Sequence, residues 1–167
     1  PLAVLSGPTI APEVARKIPS TAVMASKKKA LACDLQELFN TAYFRVYTNS
    51  DVKGVELCGS VKNVIAIAAG ICDGLGLGTN TKSALLTRGL VEMERLGRAL
   101  GAKAKTFSGL AGLGDLATTC FSGSSRNRFV GQELGKGRNI KDVLSGMSSV
   151  AEGVPTVKAV HRLARRL

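Results

Sequence analysis

Three stretches of this 167-residue sequence set polar side chains into apolar or glycine-rich surroundings. The first is Lys62-Asn63, which opens the most hydrophobic helical segment of the chain. A lysine there either snorkels to solvent or finds a carboxylate, because burying an unpaired charge is very costly. Held inside, its ammonium suits a general acid or an electrostatic clamp on a carbonyl oxygen. Asn63 beside it is placed to donate to the same oxygen or to cap.

The second stretch, Gly109 to Leu116, is glycine-rich and carries a single acid, Asp115. Its glycines allow close backbone approaches. They are not a dinucleotide fingerprint, since no strand precedes Gly109 and the spacing is wrong. Asp115 either N-caps the short Leu116–Cys120 segment or balances a catalytic lysine. The third stretch, Ser122 to Arg128, has the composition of an anion site. Ser125 at an N-cap would leave N–H groups and a positive dipole end beside an arginine fork. A plain capped helix with exposed arginines is the competing reading.

Two kinds of element must position these groups. Residues 1–50 alternate strand and helix in the manner of an α/β sheet. Leu2 to Leu5 reads as a buried strand breaking at Gly7-Pro8, Ala11 to Lys17 as a weak helix, and Thr21 to Ala25 as a strand. A helix over Lys28–Thr41 and a strand over Phe44–Thr48 follow. From residue 51 the pattern is all-α. One helix carries two apolar stripes, through Val61 and Ile65 and through Val64 and Ile67, with Lys62, Ala66, Ala69 and Asp73 left over as the remaining face. A second spans about Ser83–Leu100 and stops at Gly101. Further helices are expected from Ser125 to Gly135, after Asn139, and from Pro155.

Composition narrows the function classes. With 45% hydrophobic residues the chain is not disordered, and no unbroken run reaches the roughly 18 apolar residues of a membrane span, so a soluble protein is expected. Twenty-three Lys and Arg against twelve Asp and Glu give a formal charge of +11, which favours anionic partners. Seven aromatic rings are few for a protein that stacks bases. Cys33, Cys58, Cys72 and Cys120 form no Cys-x-x-Cys pair and there is one histidine, His161, so no metal site is expected. Reduced, mostly buried thiols in a cytoplasmic setting fit better. The chain has no start Met and opens in mid-pattern, so it reads as a piece of a longer protein.

Taken together, several segments resemble the bacterial type of NAD(P)-dependent glycerol-3-phosphate dehydrogenase. They are Ser6-Gly-Pro-Thr-Ile-Ala11, Phe44-Arg-Val-Tyr-Thr-Asn49, Gly54 through Gly70, Thr106 through Asp115, Ser125-Arg-Asn127 and Val150-Ala-Glu-Gly153. They span nearly the whole chain in the family's order. The resemblance implies a mainly α fold: residues 1–50 as the end of a Rossmann domain lacking its first half and glycine-rich loop, and residues 51–167 as an all-α substrate-binding and catalytic domain.

The implied reaction interconverts dihydroxyacetone phosphate and sn-glycerol 3-phosphate with NAD or NADP, feeding glycerophospholipid synthesis. Lys62 matches the catalytic lysine, Asp115 its paired acid and Thr119 the adjoining polar position. Gly7, Thr9, Asn63, Ser125, Arg126 and Asn127 join Lys62 and Asp115 as substrate contacts. Ala11, Arg126, Val150 and Glu152 match cofactor contacts. A phosphorylated small molecule and a homodimer partner are expected, with no nucleic acid and no membrane. Without the cofactor loop, this piece alone should turn over little. The rival readings are a basic helical nucleic-acid module and a non-catalytic dimerisation domain.

Overall fold

The computed structural model describes residues 2–167. Its first part is a three-stranded sheet in the order β1 (Val4–Ser6), β2 (Ser20–Ala25), β3 (Phe44–Asn49). β1 runs antiparallel to β2, with Leu5 opposite Met24; β2 runs parallel to β3, with Ala22 opposite Val46. Two helices connect the strands: α1 (Ala11–Ala15), which has Pro12 in its first turn, and α2 (Lys29–Phe39). Ala32 of α2 packs on Met24 and Val46, which gives the parallel pair its crossover. β1 is not the buried strand expected, since Leu5 is 41% exposed. It lies at the sheet's edge, paired along one side only.

β3 leads through Ser50 into Asp51, whose carboxylate accepts from the Gly54 amide and caps α3 (Val52–Gly74). The same carboxylate accepts from the Lys103 amide at 2.8 Å and the Thr106 hydroxyl at 2.7 Å. Burial works against its charge, but these donors together hold the Asp51 carboxyl below the usual carboxylate range. The helix therefore starts well before Lys62, and that lysine is an interior residue rather than a helix-end one.

α3 is the axis of the helical part. Around it stand α4 (Gly78–Ala99), α5 (Ala104–Phe107), a π-helical turn (Leu110–Gly114), α6 (Asp115–Phe121), α7 (Arg126–Gly135) and α9 (Gly153–Ala164). α8 (Ile140–Ser145) packs on α7. By length and mean hydropathy α3 is long and apolar enough to cross a membrane, although no single apolar run in the sequence suggests it. Here it is a core helix enclosed by its neighbours. Phe107, Leu116 and Met93 close the core beside Val61 and Ala66, and burying each large side chain contributes about 1.5–3 kcal/mol.

Two residues of the face left over in the sequence pattern turn out to be deeply buried. Ala66 and Ala69 are fully buried in the cluster with Met93 of α4 and Leu116 and Cys120 of α6, while the neighbouring face of α3 meets α7. A Cβ on Gly70 would collide with the Arg128 carbonyl, and one on Gly131 with the Ile67 carbonyl. Gly74 and Gly135 oppose each other in the next turn. Small residues let these two helices touch main chain to main chain. α4 begins at Gly78, earlier than the apolar spacing suggests, and at its far end Gly101 takes φ +83°, ending the helix as expected.

Candidate active site

The interior position of Lys62 on α3 points its side chain at the start of α6. There the ammonium meets Asp115 Oδ1 at 2.5 Å, with the lysine side chain 19% exposed and the aspartate 3%. Asp115 is the first residue of α6 and makes no cap, so of its two sequence readings the lysine partner holds. Ser6 Oγ, from the end of β1, donates to Asp115 Oδ2 at 3.4 Å. Thr119, one turn on, donates to the Asp115 carbonyl at 2.7 Å and lies 3.5 Å from Oδ1. Burial pushes the Asp115 carboxyl up, while the Lys62 ammonium and the two hydroxyls pull it down.

Lys62 opens on a cleft of about 480 Å³ between the α/β part and the helices. Its walls include Thr9, Ala11, Asn63, Thr119, Ser125 and Arg126. Ser125 is the N-cap of α7, accepting from the Arg128 amide at 3.2 Å. Asn127 is buried, donates to Asn63 Oδ1 at 3.0 Å and accepts from the Gly153 amide at 2.8 Å. Asn63 donates back to the Gly59 carbonyl, so it does not cap. Both carboxamides are thus oriented from inside while each keeps one N–H for a ligand. At the rim Arg126 pairs with Glu152 at 2.7 Å, both about half exposed (45% and 51%).

Most of the expected residues therefore converge. Gly7 does not face the cleft; it is buried, with no room for a Cβ beside Ala22, and its carbonyl accepts from Thr9, which does. Val150 stands apart, 69% exposed in a neighbouring depression with Met147 and Pro155. Residues with no role in the sequence reading belong here too: Ser6, through Asp115, and Ile10, Gly59 and Thr118, in the cleft wall. Nothing in the spacing of Ser6 announces a contact with a residue 109 positions away.

This arrangement fits an anionic carbonyl compound, with an ammonium for the oxygen and a guanidinium, hydroxyl and amide set for a phosphate.

Residues 51–167 match the family model of the NAD-dependent glycerol-3-phosphate dehydrogenase C-terminus, and residues 1–32 that of its N-terminus. The chain belongs to the NAD-dependent glycerol-3-phosphate dehydrogenase family. It is 58% identical over 163 residues to glycerol-3-phosphate dehydrogenase [NAD(P)+] of Geobacter sulfurreducens, covering 98% of this chain and 49% of the relative. The corresponding protein of Geobacter sp. (strain M21) is 57% identical over 166 residues, 99% of this chain and 50% of the relative. Among solved structures, glycerol-3-phosphate dehydrogenase from Coxiella burnetii superposes with a TM-score of 0.95 at 49% identity, over 98% of this chain and 50% of that one. The yeast dehydrogenase superposes at 0.85 with 32% identity, over 96% and 49%. The chain thus spans about half the length of the family members it matches.

Proposed function

We propose that this chain forms the substrate-binding and catalytic half of an NAD(P)-dependent glycerol-3-phosphate dehydrogenase, which interconverts dihydroxyacetone phosphate and sn-glycerol 3-phosphate. The observation that carries the reading is the buried Lys62–Asp115 pair opening on a cleft whose other wall bears Ser125, Arg126 and Asn127.

Lys62 stabilises the negative charge that grows on the carbonyl oxygen during reduction and gives that oxygen its proton; in oxidation it takes the proton back. Asp115 keeps the lysine oriented, and Ser6 and Thr119 keep Asp115 oriented. Arg126 and the amides of Asn63 and Asn127 hold the phosphate end, so the carbonyl is presented to Lys62 in one direction. The reduced nicotinamide, when bound, supplies the hydride. Ala11, Arg126 and Glu152 would line its place in this half; Val150 would reach it only from outside the cleft.

The test is oxidation of NADH and of NADPH with dihydroxyacetone phosphate by a full-length chain carrying this sequence, run beside residues 1–167 alone. Turnover in the first and little in the second is expected, because residues 1–167 contain no dinucleotide-type glycine loop. No turnover with either cofactor overturns the reading. Four free thiols support a reducing, cytoplasmic setting, and a role in glycerophospholipid synthesis follows from the product. Sedimentation of the full-length chain tests the homodimer.

A further inference from the structure

Behind the phosphate wall of the cleft lies a second charge cluster that the chemistry above does not use. Asp73, at the end of α3, accepts from Lys82 Nζ at 2.5 Å through Oδ1 and from Arg128 Nε at 2.6 Å through Oδ2. Lys82 is nearly buried and lies 5.2 Å from the centre of the Phe121 ring. Despite burial, the two cations hold the Asp73 carboxyl below the usual carboxylate range. Such clusters are commonly no more than helix ties, yet Arg128 also has business with the cleft.

Arg128 stands two residues after Arg126, and its side chain turns away from the cleft toward Asp73. Its second arm, Nη1, donates to the Ser122 carbonyl at 3.3 Å, and its amide donates to Ser125 Oγ at 3.2 Å. Ser122 and Ser125 are the two ends of the loop that rims the cleft and delivers Arg126. The guanidinium therefore holds the Ser122 end of that loop while the backbone of the same residue holds the Ser125 end, and one carboxylate fixes the guanidinium.

We infer that Asp73 is a positioning residue: acting through Arg128, it sets the shape of the Ser122–Ser125 loop and so the affinity of the cleft for a phosphate group. The inference rests on the phosphate-binding reading of Ser125–Asn127 given above. A fork is needed for it, because one planar guanidinium can bond a carboxylate and a carbonyl together. A lysine at 128 would keep the charge beside Asp73 but could not hold this two-armed geometry.

The experiment compares Asp73→Asn, Arg128→Lys and Lys82→Met in the full-length chain, with two readouts. The first is kcat and KM for dihydroxyacetone phosphate and for its unphosphorylated analogue, dihydroxyacetone. The second is titration with inorganic phosphate, followed at the amide signals of residues 125–127. Asp73→Asn and Arg128→Lys are expected to raise KM for the phosphorylated substrate roughly ten- to a hundredfold, with a much smaller change in kcat. Kinetics with dihydroxyacetone should hardly move, and phosphate should bind more weakly by a similar factor. Lys82→Met keeps the Asp73–Arg128 pair, so its KM should stay within about twofold of the wild type whatever happens to its melting temperature. If Asp73→Asn does not fold, Arg128→Lys decides.

Unchanged KM and phosphate affinity in Arg128→Lys would overturn the inference, as would equal losses with both substrates, which mark a merely structural role. Failure of the functional reading looks different: the wild type would not turn over dihydroxyacetone phosphate, whereas its phosphate titration would still respond, or not, to Asp73.

Discussion

Lys62 and Asp115 are each other's charge partner across 53 residues of sequence, at 2.5 Å, with the carboxylate buried and the ammonium facing the cleft. The pair joins the axis helix α3 to the first turn of α6. On its far side the carboxylate receives Ser6, so the α/β part also touches the pair.

Replacing Lys62 by Met should remove most turnover in the full-length chain, about a hundredfold or more in kcat, as loss of a positioned proton donor does. It should also cost about 3 kcal/mol of stability near neutral pH, because it strands a buried carboxylate. The sign of the pH dependence follows. With its folded pKa raised, an unpartnered Asp115 destabilises above that pKa, and the penalty fades as acid protonates it. Urea unfolding at several pH values checks this: the gap to wild type should shrink as pH falls. Near-normal kcat would take Lys62 out of the mechanism.

Arg126→Ala should behave differently. Its partner Glu152 is half exposed, so the ion pair contributes about 1 kcal/mol at most and the fold should be indifferent. KM for the phosphorylated substrate should rise. Steady-state kinetics with no change in KM or kcat would reduce Arg126 to a surface residue.

Asp51 offers a test in the acid range. Its folded pKa is lowered, so the stability it contributes is present above the ordinary carboxylate range and lost as pH falls through the folded value. Asp51→Asn should therefore unfold with a flatter dependence on acid than wild type. It should also be less stable at neutral pH by about 1 kcal/mol or more, because a carboxamide has one acceptor oxygen where the carboxylate uses two. Chemical denaturation from neutral to acid pH measures both.

The thiols should divide by depth. Burial pushes Cys58 and Cys120 up to about 12, and both are inside the core. Cys33 and Cys72 are half-buried. A thiol reagent at about pH 8 should label Cys33 and Cys72 first, with Cys58 and Cys120 following only on unfolding, since the thiolate is the reactive form. Peptide mapping after a short exposure would show it, and early labelling of Cys120 would contradict the packing.

Gly131→Ala sets a methyl group against the Ile67 carbonyl. Backbone cannot yield as a side chain does, so a loss of about 1–3 kcal/mol or more is expected, read from the urea midpoint. A variant as stable as the wild type would mean that α7 has room to move.

Local signals made much of this fold legible. Asn139 and Ser125 cap the helices they were expected to start, and Gly101 ends α4. The resemblance brought most of the cleft residues together before any geometry was known. What the sequence concealed was tertiary. Ala66 and Ala69 look like a leftover face because small residues score as weakly apolar; only the packing of α4 and α6, through Met93, Leu116 and Cys120, buries them. Asp115 looks more like a cap than like an ion-pair partner, since its lysine lies 53 residues away in sequence. Leu5 promises burial by its type, yet β1 is a sheet edge.

The contact of α3 with α7 through Gly70, Gly74, Gly131 and Gly135 has a consequence for selectivity. α3 carries Lys62 and Asn63, α7 carries Arg126 and Asn127, and main chain rests directly on main chain between them. On the proposed reading, the interval from proton donor to phosphate grip is then a dimension of the scaffold, a fixed gauge against which a ligand's length is measured. Exchanging side chains in the cleft can change how tightly a molecule is held, but admitting a longer one would require the two helices themselves to part.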